Sequence, residues 1–398
     1  MNDGNKYFCI MPWVGLHVRQ DGHVHPCCVS NYEYDFGNIK YNSLEQIWNN
    51  YAVRKFRVDL LNGKELDICK DCNFNEKLGN DSLRKKINKK FSHHYDVVKS
   101  TKKNGTVDKF NFVYWDFRFS NICNFKCRMC CPEFSSSWGY EIKKVLKNKD
   151  ANPIQQIDVW EQLEPLFDTV EEIYFVGGEP LIMEDHYKII YKLIELKRFD
   201  VRLIYNTNFS IINYRGNDIV ELWKKFDSVG LTISLDGYGK CGELIRNGLN
   251  WDTLVDNINH LRNVYDKKYT IDCVYQAINA FHVFDMHKKL YENKLIQTVD
   301  SFNVYFLTGP EYLSIDIFPL EVKNKIIEKI DDHINNFLIP NNSEISREQF
   351  EVMKNILKLN NDKTNLIPKF KKFINAMDTI RNENTLDLFP ELSEVLNA

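Results

Sequence analysis

No apolar run in these 398 residues approaches the length of a membrane span. An integral membrane protein is therefore not expected. The N-terminus, Met1-Asn2-Asp3-Gly4-Asn5-Lys6, lacks the basic and then apolar order of a secretory signal. The expectation is a soluble, cytoplasmic chain. Net charge is also small, −3, which gives no electrostatic footprint for nucleic acid or an anionic membrane. No internal repeat or low-complexity tract is present. The balance of 43% hydrophobic and 27% charged residues is that of an ordinary globular protein. The length allows large cores and two domains with a helical tail.

Cysteine is plentiful, with eleven in the chain. In a reducing compartment they read as metal or redox ligands rather than disulfides. Cys123, Cys127 and Cys130 have the spacing C-x3-C-x2-C. Three thiolates on one short loop hold three corners of a cubane iron–sulfur cluster and leave the fourth iron open to a small molecule. A zinc site would close with a fourth Cys or His. Cys131 follows Cys130 directly and is too near in sequence to close it easily.

A strand-like run, 110–119, precedes this loop. A second, Glu172-Ile173-Tyr174-Phe175-Val176, ends in Gly177-Gly178-Glu179-Pro180. The combination resembles the radical S-adenosylmethionine (SAM) superfamily, in which the cluster loop follows the first strand of a partial α/β barrel and a GGEP-type turn follows the second. Met129 departs from the aromatic residue usual before the third cysteine. Helices are expected over about 133–149, 154–167, 185–197, 218–226, 253–265 and 283–292. They alternate with strands at 201–205, 229–234, 269–275 and 302–306. Strands separated by helices imply parallel pairing, with ligands at the C-terminal strand ends. The fold class is thus α/β, a partial (β/α)6 barrel of parallel strands.

The resemblance implies a 4Fe-4S cluster on Cys123, Cys127 and Cys130, with the SAM amino and carboxylate groups on the open iron. It also implies a SAM amino-group site at Gly177, Gly178, Glu179 and Pro180, where glycine admits close backbone approach. Ser234 and Asp236, in Ser-Leu-Asp-Gly, are expected to meet the SAM ribose. Asn206 and Thr207 end the third strand, where a polar turn is the alternative to a cofactor contact. Arg246 is expected at the SAM carboxylate or in a surface salt bridge. Cys241 lies outside both cysteine groups and is a candidate hydrogen-atom donor, or a small apolar residue. Cys273, inside a strand, is expected in the core.

Five more cysteines, Cys9, Cys27, Cys28, Cys69 and Cys72, fall early in the chain. Asp21-Gly22 marks a hairpin turn between two of them. Ser43-Leu44-Glu45-Gln46 opens a helix as a capping box. The order Cys9-Ile10-Met11-Pro12-Trp13, hairpin, Cys27-Cys28, Gly37-Asn38-Ile39, Ser43-Leu44-Glu45-Gln46-Ile47-Trp48 and Cys69-Lys70-Asp71-Cys72 resembles the SPASM/Twitch auxiliary-cluster module. That module commonly follows the barrel and here precedes it. The resemblance implies one auxiliary 4Fe-4S cluster on Cys9, Cys27, Cys69 and Cys72, with Cys28 an alternative to Cys27. A zinc-ribbon-like site on the same thiolates is the bland alternative.

The organisation expected is a Cys-rich α+β module over 1–80, a basic linker over 81–109, the barrel over 110–318 and a helical region over 319–398. Helices in the last are expected over 320–337, 347–358 and 368–377. The linker's lysines suggest a solvated face or a docking site for an acidic electron donor such as flavodoxin or ferredoxin. The function implied is an oxidoreductase-type radical SAM enzyme. A reduced cluster cleaves SAM to a 5′-deoxyadenosyl radical, which takes hydrogen from a peptide or protein substrate. A sugar, nucleotide or other small-molecule substrate is the alternative. A zinc-binding adaptor without activity, and an enzyme using SAM as a methyl source, are the rivals.

Overall fold

The computed structural model describes residues 4–77, 81–146, 154–265, 267–359 and 361–396. Its strands among these are β1 (Gly15–Val18), β2 (Val24–His25), β3 (Tyr114–Phe117), β4 (Lys126–Cys127), β5 (Glu172–Phe175) and β6 (Arg202–Thr207). They continue with β7 (Asn213–Tyr214), β8 (Asn217–Asp218), β9 (Val229–Ser234), β10 (Arg246–Asn247), β11 (Tyr269–Tyr275) and β12 (Phe302–Phe306). The chain divides into two compact units. One comprises 1–122, 154–205 and 225–229, and the other 123–153, 206–224 and 230–398.

In the first unit β3, β5 and β6 pair in parallel in consecutive register, Tyr114 opposite Glu172 and Glu172 opposite Arg202. β1 joins the free edge of β3, also in parallel, with His17 opposite Asp116. The cysteine-rich segment therefore extends the same sheet rather than standing apart from it. Asp21-Gly22 makes the β1–β2 turn, with Gly22 at φ +90°, a conformation glycine adopts without a Cβ clash. Trp115 packs edge-on against Phe167 and Phe175 against His186. The helix Glu184–Glu195 supplies His186, Tyr187, Ile189, Ile190 and Leu193 as its buried face, the spacing of an amphipathic helix.

The capping box forms as expected: the Ser43 hydroxyl accepts from the Gln46 N–H, and the Ser43 N–H donates to Gln46. That helix stops at Trp48, however, and a second one, Tyr51–Leu61, starts on the Asn50 cap. Asn49 and Asn50 break the run because their side chains bond to backbone and to Arg57 instead of continuing it.

The expected helix over 154–167 is a correction. Only Trp160–Leu163 is α-helical. Asn121 and Ser120 take the polar backbone of Gln155, and Ile157 donates to the Phe119 carbonyl. This segment lies along the chain that leads into Cys123, so tertiary hydrogen bonding overrides its helix propensity. The strand expected over 110–119 is shorter, four residues, because Phe110 and Phe112 pack on Trp48.

The second unit holds β9, β11 and β12 as parallel neighbours, with the expected bounds. The helices Trp251–Val264 and Val283–Glu292 separate them along the chain. The run expected over 133–149 is helical over Ser136–Leu146, and its end lies outside the described residues. Three long helices, Leu320–His333, Glu344–Lys358 and Ile367–Arg381, make up most of the C-terminal region. Parallel strands alternating with helices, a Cys-rich front and a helical end are the fold class expected. No helix among the described residues is long and apolar enough to cross a membrane.

Candidate cluster and cofactor sites

The first cysteine group lies on one loop of the second unit. Backbone N–H of Phe125 points at the Cys123 sulfur, 3.4 Å away, and the Arg246 guanidinium lies 3.9 Å from the Cys127 sulfur. Donors aimed at sulfur suit a thiolate. The Cys127 carbonyl accepts from Cys130 N–H and from the Trp138 indole, which closes the loop. Burial pushes the Cys127 and Cys130 thiols up, and Cys130 also feels the charges of Cys127, Cys131 and Cys123. Cys131 instead faces Glu133.

Gly177 to Pro180 lie in the first unit, against residues that lead directly into Cys123. Gly178 N–H donates to Ser120 O and Glu179 N–H to Ile122 O, at 3.3 and 2.7 Å. A Cβ on Gly178 would fall 2.0 Å from the Ile122 carbonyl oxygen, so only glycine fits. Glu179 is buried, and its carboxylate caps Leu181 N–H.

Thr207 ends β6 and accepts from Phe209 N–H, while Asn206 before it is half-buried. Asn208, one residue beyond the expected pair, donates to Asn124 in the cysteine loop, and Asn124 donates to Ser210. This polar triad was not legible in advance, because nothing local marks Asn208 above its neighbours. Ser234 is half-buried at the end of β9. Asp236 is a residue expected at the SAM ribose. It is fully buried, accepts from Val274 N–H at 2.7 Å and pairs with Arg246 at 2.8 Å. Burial raises Asp236 while Arg246 pulls it back, and the ion pair is what the two groups share. Arg246 is accordingly buried, not a surface bridge. The Cys241 thiol approaches the Leu388 carbonyl at 3.6 Å, outside both cysteine groups, and Cys273 is in the core as expected.

The early cysteines converge in the first unit. Cys9, Cys27, Cys69 and Cys72 line one cavity, walled by Met11, Phe56, Ile68 and Ile87. Cys28 does not line it. Its thiol turns to Asp116 and Arg118. Burial raises the Cys9, Cys27 and Cys69 thiols, Cys9 to about 12 and Cys69 to about 11. A metal must therefore displace protons to bind here. An apolar pocket with four sulfurs and one buried cation suits a thiolate-ligated cluster, which carries net negative charge. The cation is Arg84, held by Glu76 and Asn73 and also lining the cavity.

Arg84 stands in the stretch expected to be a linker. Residues Leu83–Lys90 form a helix whose Leu83, Arg84 and Ile87 face the cavity while Lys85, Lys86 and Lys89 are exposed. The i, i+1, i+4 spacing of those three inward residues was the available signal. Farther along, His93 and His94 both contact the Glu171 carboxylate, at 2.8 and 2.6 Å, and Lys90 holds Glu172. These pairs fasten the stretch to the start of β5.

Both cysteine groups fall within segments that match known family models. Residues 117–278 match the family model of the radical SAM superfamily, and residues 9–73 match that of SPASM, an iron–sulfur cluster-binding domain. A GTP 3′,8-cyclase of Campylobacter lari is 29% identical over 132 residues, 33% of this chain and 37% of the cyclase. Streptococcus suis SuiB bound to SAM is 19% identical with a TM-score of 0.41, over 70% of this chain and 63% of that one. Native anSMEcpe with bound AdoMet is 20% identical with a TM-score of 0.39, over 56% of this chain and 61% of that one. The chain thus spans little more than a third of the cyclase and under two thirds of SuiB.

Proposed function

We propose, starting from a chain that belongs to the radical SAM superfamily and carries a SPASM iron–sulfur domain, that it is an enzyme of hydrogen-atom abstraction with two clusters. The observation that carries this is the three-cysteine loop, whose lead-in residues are packed by the Gly177-Gly178-Glu179-Pro180 turn. A 4Fe-4S cluster on Cys123, Cys127 and Cys130, with SAM bound, supplies a 5′-deoxyadenosyl radical after one-electron reduction.

The residues around it have separable tasks. Phe125 N–H and Arg246 stabilise sulfur charge, and Asp236 positions Arg246 through their buried pair. Gly178 allows the turn to close on Ile122. Asn124, Asn208 and Ser210 fix the loop's first half. Cys9, Cys27, Cys69 and Cys72 hold the auxiliary cluster, with Arg84 offsetting part of its charge. Flavodoxin or ferredoxin is the reductant class, docking on Lys85, Lys86 and Lys89.

For the substrate we favour a peptide or protein, because relatives with an auxiliary module often modify peptides. A nucleotide is the second reading, favoured by the partial likeness to a GTP cyclase.

The test is iron and acid-labile sulfide per chain after anaerobic reconstitution, with products of SAM turnover. Roughly eight irons, falling to about four in Cys123→Ala/Cys127→Ala/Cys130→Ala, and 5′-deoxyadenosine as product are expected. Zinc without sulfide would favour an adaptor. S-adenosylhomocysteine in place of 5′-deoxyadenosine would favour methyl transfer.

A further inference from the structure

The C-terminal region has no role in the scheme so far, yet one short part of it is bound to the cysteine loop. Arg128, between Cys127 and Cys130, has a fully buried side chain. Its Nη2 donates to Asp378 Oδ1 at 2.6 Å and to Glu383 Oε2 at 2.7 Å, and its Nη1 to Thr385 Oγ1 at 2.9 Å. Next to it, Arg381 donates to the Lys126 carbonyl at 2.8 Å and pairs with Glu141, which also takes the Lys126 ammonium. Glu383 uses its other oxygen to accept from Asn247. That residue and Arg246 pair with Lys126 and Cys127 as β10 on β4.

The local sequence explains how so many side chains reach one loop. Asn382 ends the helix Ile367–Arg381 in the left-handed conformation, φ +52°, a common role for Asn. Glu383 N–H returns to the Asp378 carbonyl, and Asn384 caps the helix Thr385–Leu388. This reversal turns Asp378, Arg381, Glu383 and Thr385 toward the same target.

Burying one cation with two carboxylates adds little stability compared with apolar packing, and such groups serve best where they fix a register. We propose that residues 378–385 are a positioning clasp for the catalytic cluster loop, with Arg128 its anchor and Asp378 and Glu383 setting the local charge. The proposal rests on reading the Cys123–Cys130 loop as the SAM-cleaving site. Arg128 is a positioning residue that fixes where Cys127 and Cys130 stand. The triad's net charge, one positive against two negative, bears on how readily the neighbouring cluster accepts an electron.

The experiment is an EPR-monitored redox titration of the reconstituted full chain, with and without SAM, on wild type, Arg128→Met, Arg128→Lys and Asp378→Asn/Glu383→Gln. Iron content and thermal melting are recorded for each. The SAM-responsive signal is expected at a lower potential in Arg128→Met, where two carboxylates lose their cation. It is expected at a higher potential in the double amide, where the cation loses its anions. Arg128→Lys keeps the charge without the fork and is expected between wild type and Arg128→Met.

Shifts of opposite sign at matched iron content are what a merely structural contact would not give. Glu383→Gln alone, at a partly exposed residue, covers the case in which the other variants do not fold, and an upward shift is expected. Potentials equal to wild type, or moving the same way in every variant, overturn the clasp and leave the function intact. A wild type without a SAM-responsive cluster overturns the functional reading and the clasp with it.

Discussion

Gly178→Ala is the sharpest perturbation the structure offers. An added Cβ would stand 2.0 Å from the Ile122 carbonyl oxygen, 2.6 Å from its carbon and 2.7 Å from the Asn121 carbonyl carbon. Ordinary contact begins at 3.4 Å, so backbone must move by the difference, 1.4 Å, with no flexible side-chain tip to absorb it. The same Ile122 carbonyl accepts from Glu179 N–H, and that bond is lost or stretched by the movement. Overpacking costs about 1–3 kcal/mol, and the hydrogen bond adds about 1 kcal/mol. Ile122 precedes Cys123, so the displacement is passed to the first thiol of the loop. A misplacement of about 1 Å in a reacting geometry costs roughly a hundredfold in rate. The assay is 5′-deoxyadenosine formation per cluster under anaerobic reducing conditions, with thermal melting of the same samples. A lower melting temperature and a rate down by about two orders of magnitude are expected. Full iron content with a rate within about twofold of wild type would refute the close-approach argument.

Four other outcomes follow from the geometry. Cys27→Ser should lose the auxiliary cluster, about four irons, whereas Cys28→Ser should retain it, because only Cys27 lines the cavity; analytical iron and sulfide decide. His186 and His287 are buried neutral, held down by burial at about 3 and about 4 against an ordinary value of 6.5. Unfolding lets them take protons, so stability is intact above pH 6.5 and falls as pH drops below it, by about 2 kcal/mol per histidine at pH 5; denaturant melts of wild type and His186→Phe across pH 5–7 would show a shallower slope in the variant. Reversing Lys85, Lys86 and Lys89 to Glu should slow reduction by flavodoxin, and more so at low salt, while dithionite reduction stays the same. Cys241→Ser should leave solvent-deuterium incorporation into product unchanged, since the thiol is turned to the Leu388 carbonyl; loss of deuterium would make Cys241 the hydrogen donor after all.

Much of the fold was readable because its signals are short-range. β9, β11 and β12 fall on the expected residues, since alternation over six or seven residues is a local pattern. The hairpin turn at Asp21-Gly22 and the capping box at Ser43 are equally local. The segment 154–159 is not helical because its partners, Phe119, Ser120 and Asn121, are more than thirty residues away and leave no local pattern. The sequence shows Asp236 as a polar strand end and not the arginine that pairs with it. Arg84 was hidden in a basic run, where the three residues that face the cavity are outnumbered by solvated lysines.

The sequence by itself determined the ligand chemistry: three thiolates within eight residues, a Gly-Gly turn, four further cysteines and the periods that make strands and helices. These are properties of neighbours along the chain. Tertiary structure alone decided which of two adjacent cysteines faces the cavity, that β1 would join β3, and that Asp378 would meet Arg128 across 250 positions. Such contacts depend on how already formed elements pack, and loop closure over that distance leaves no trace in local composition.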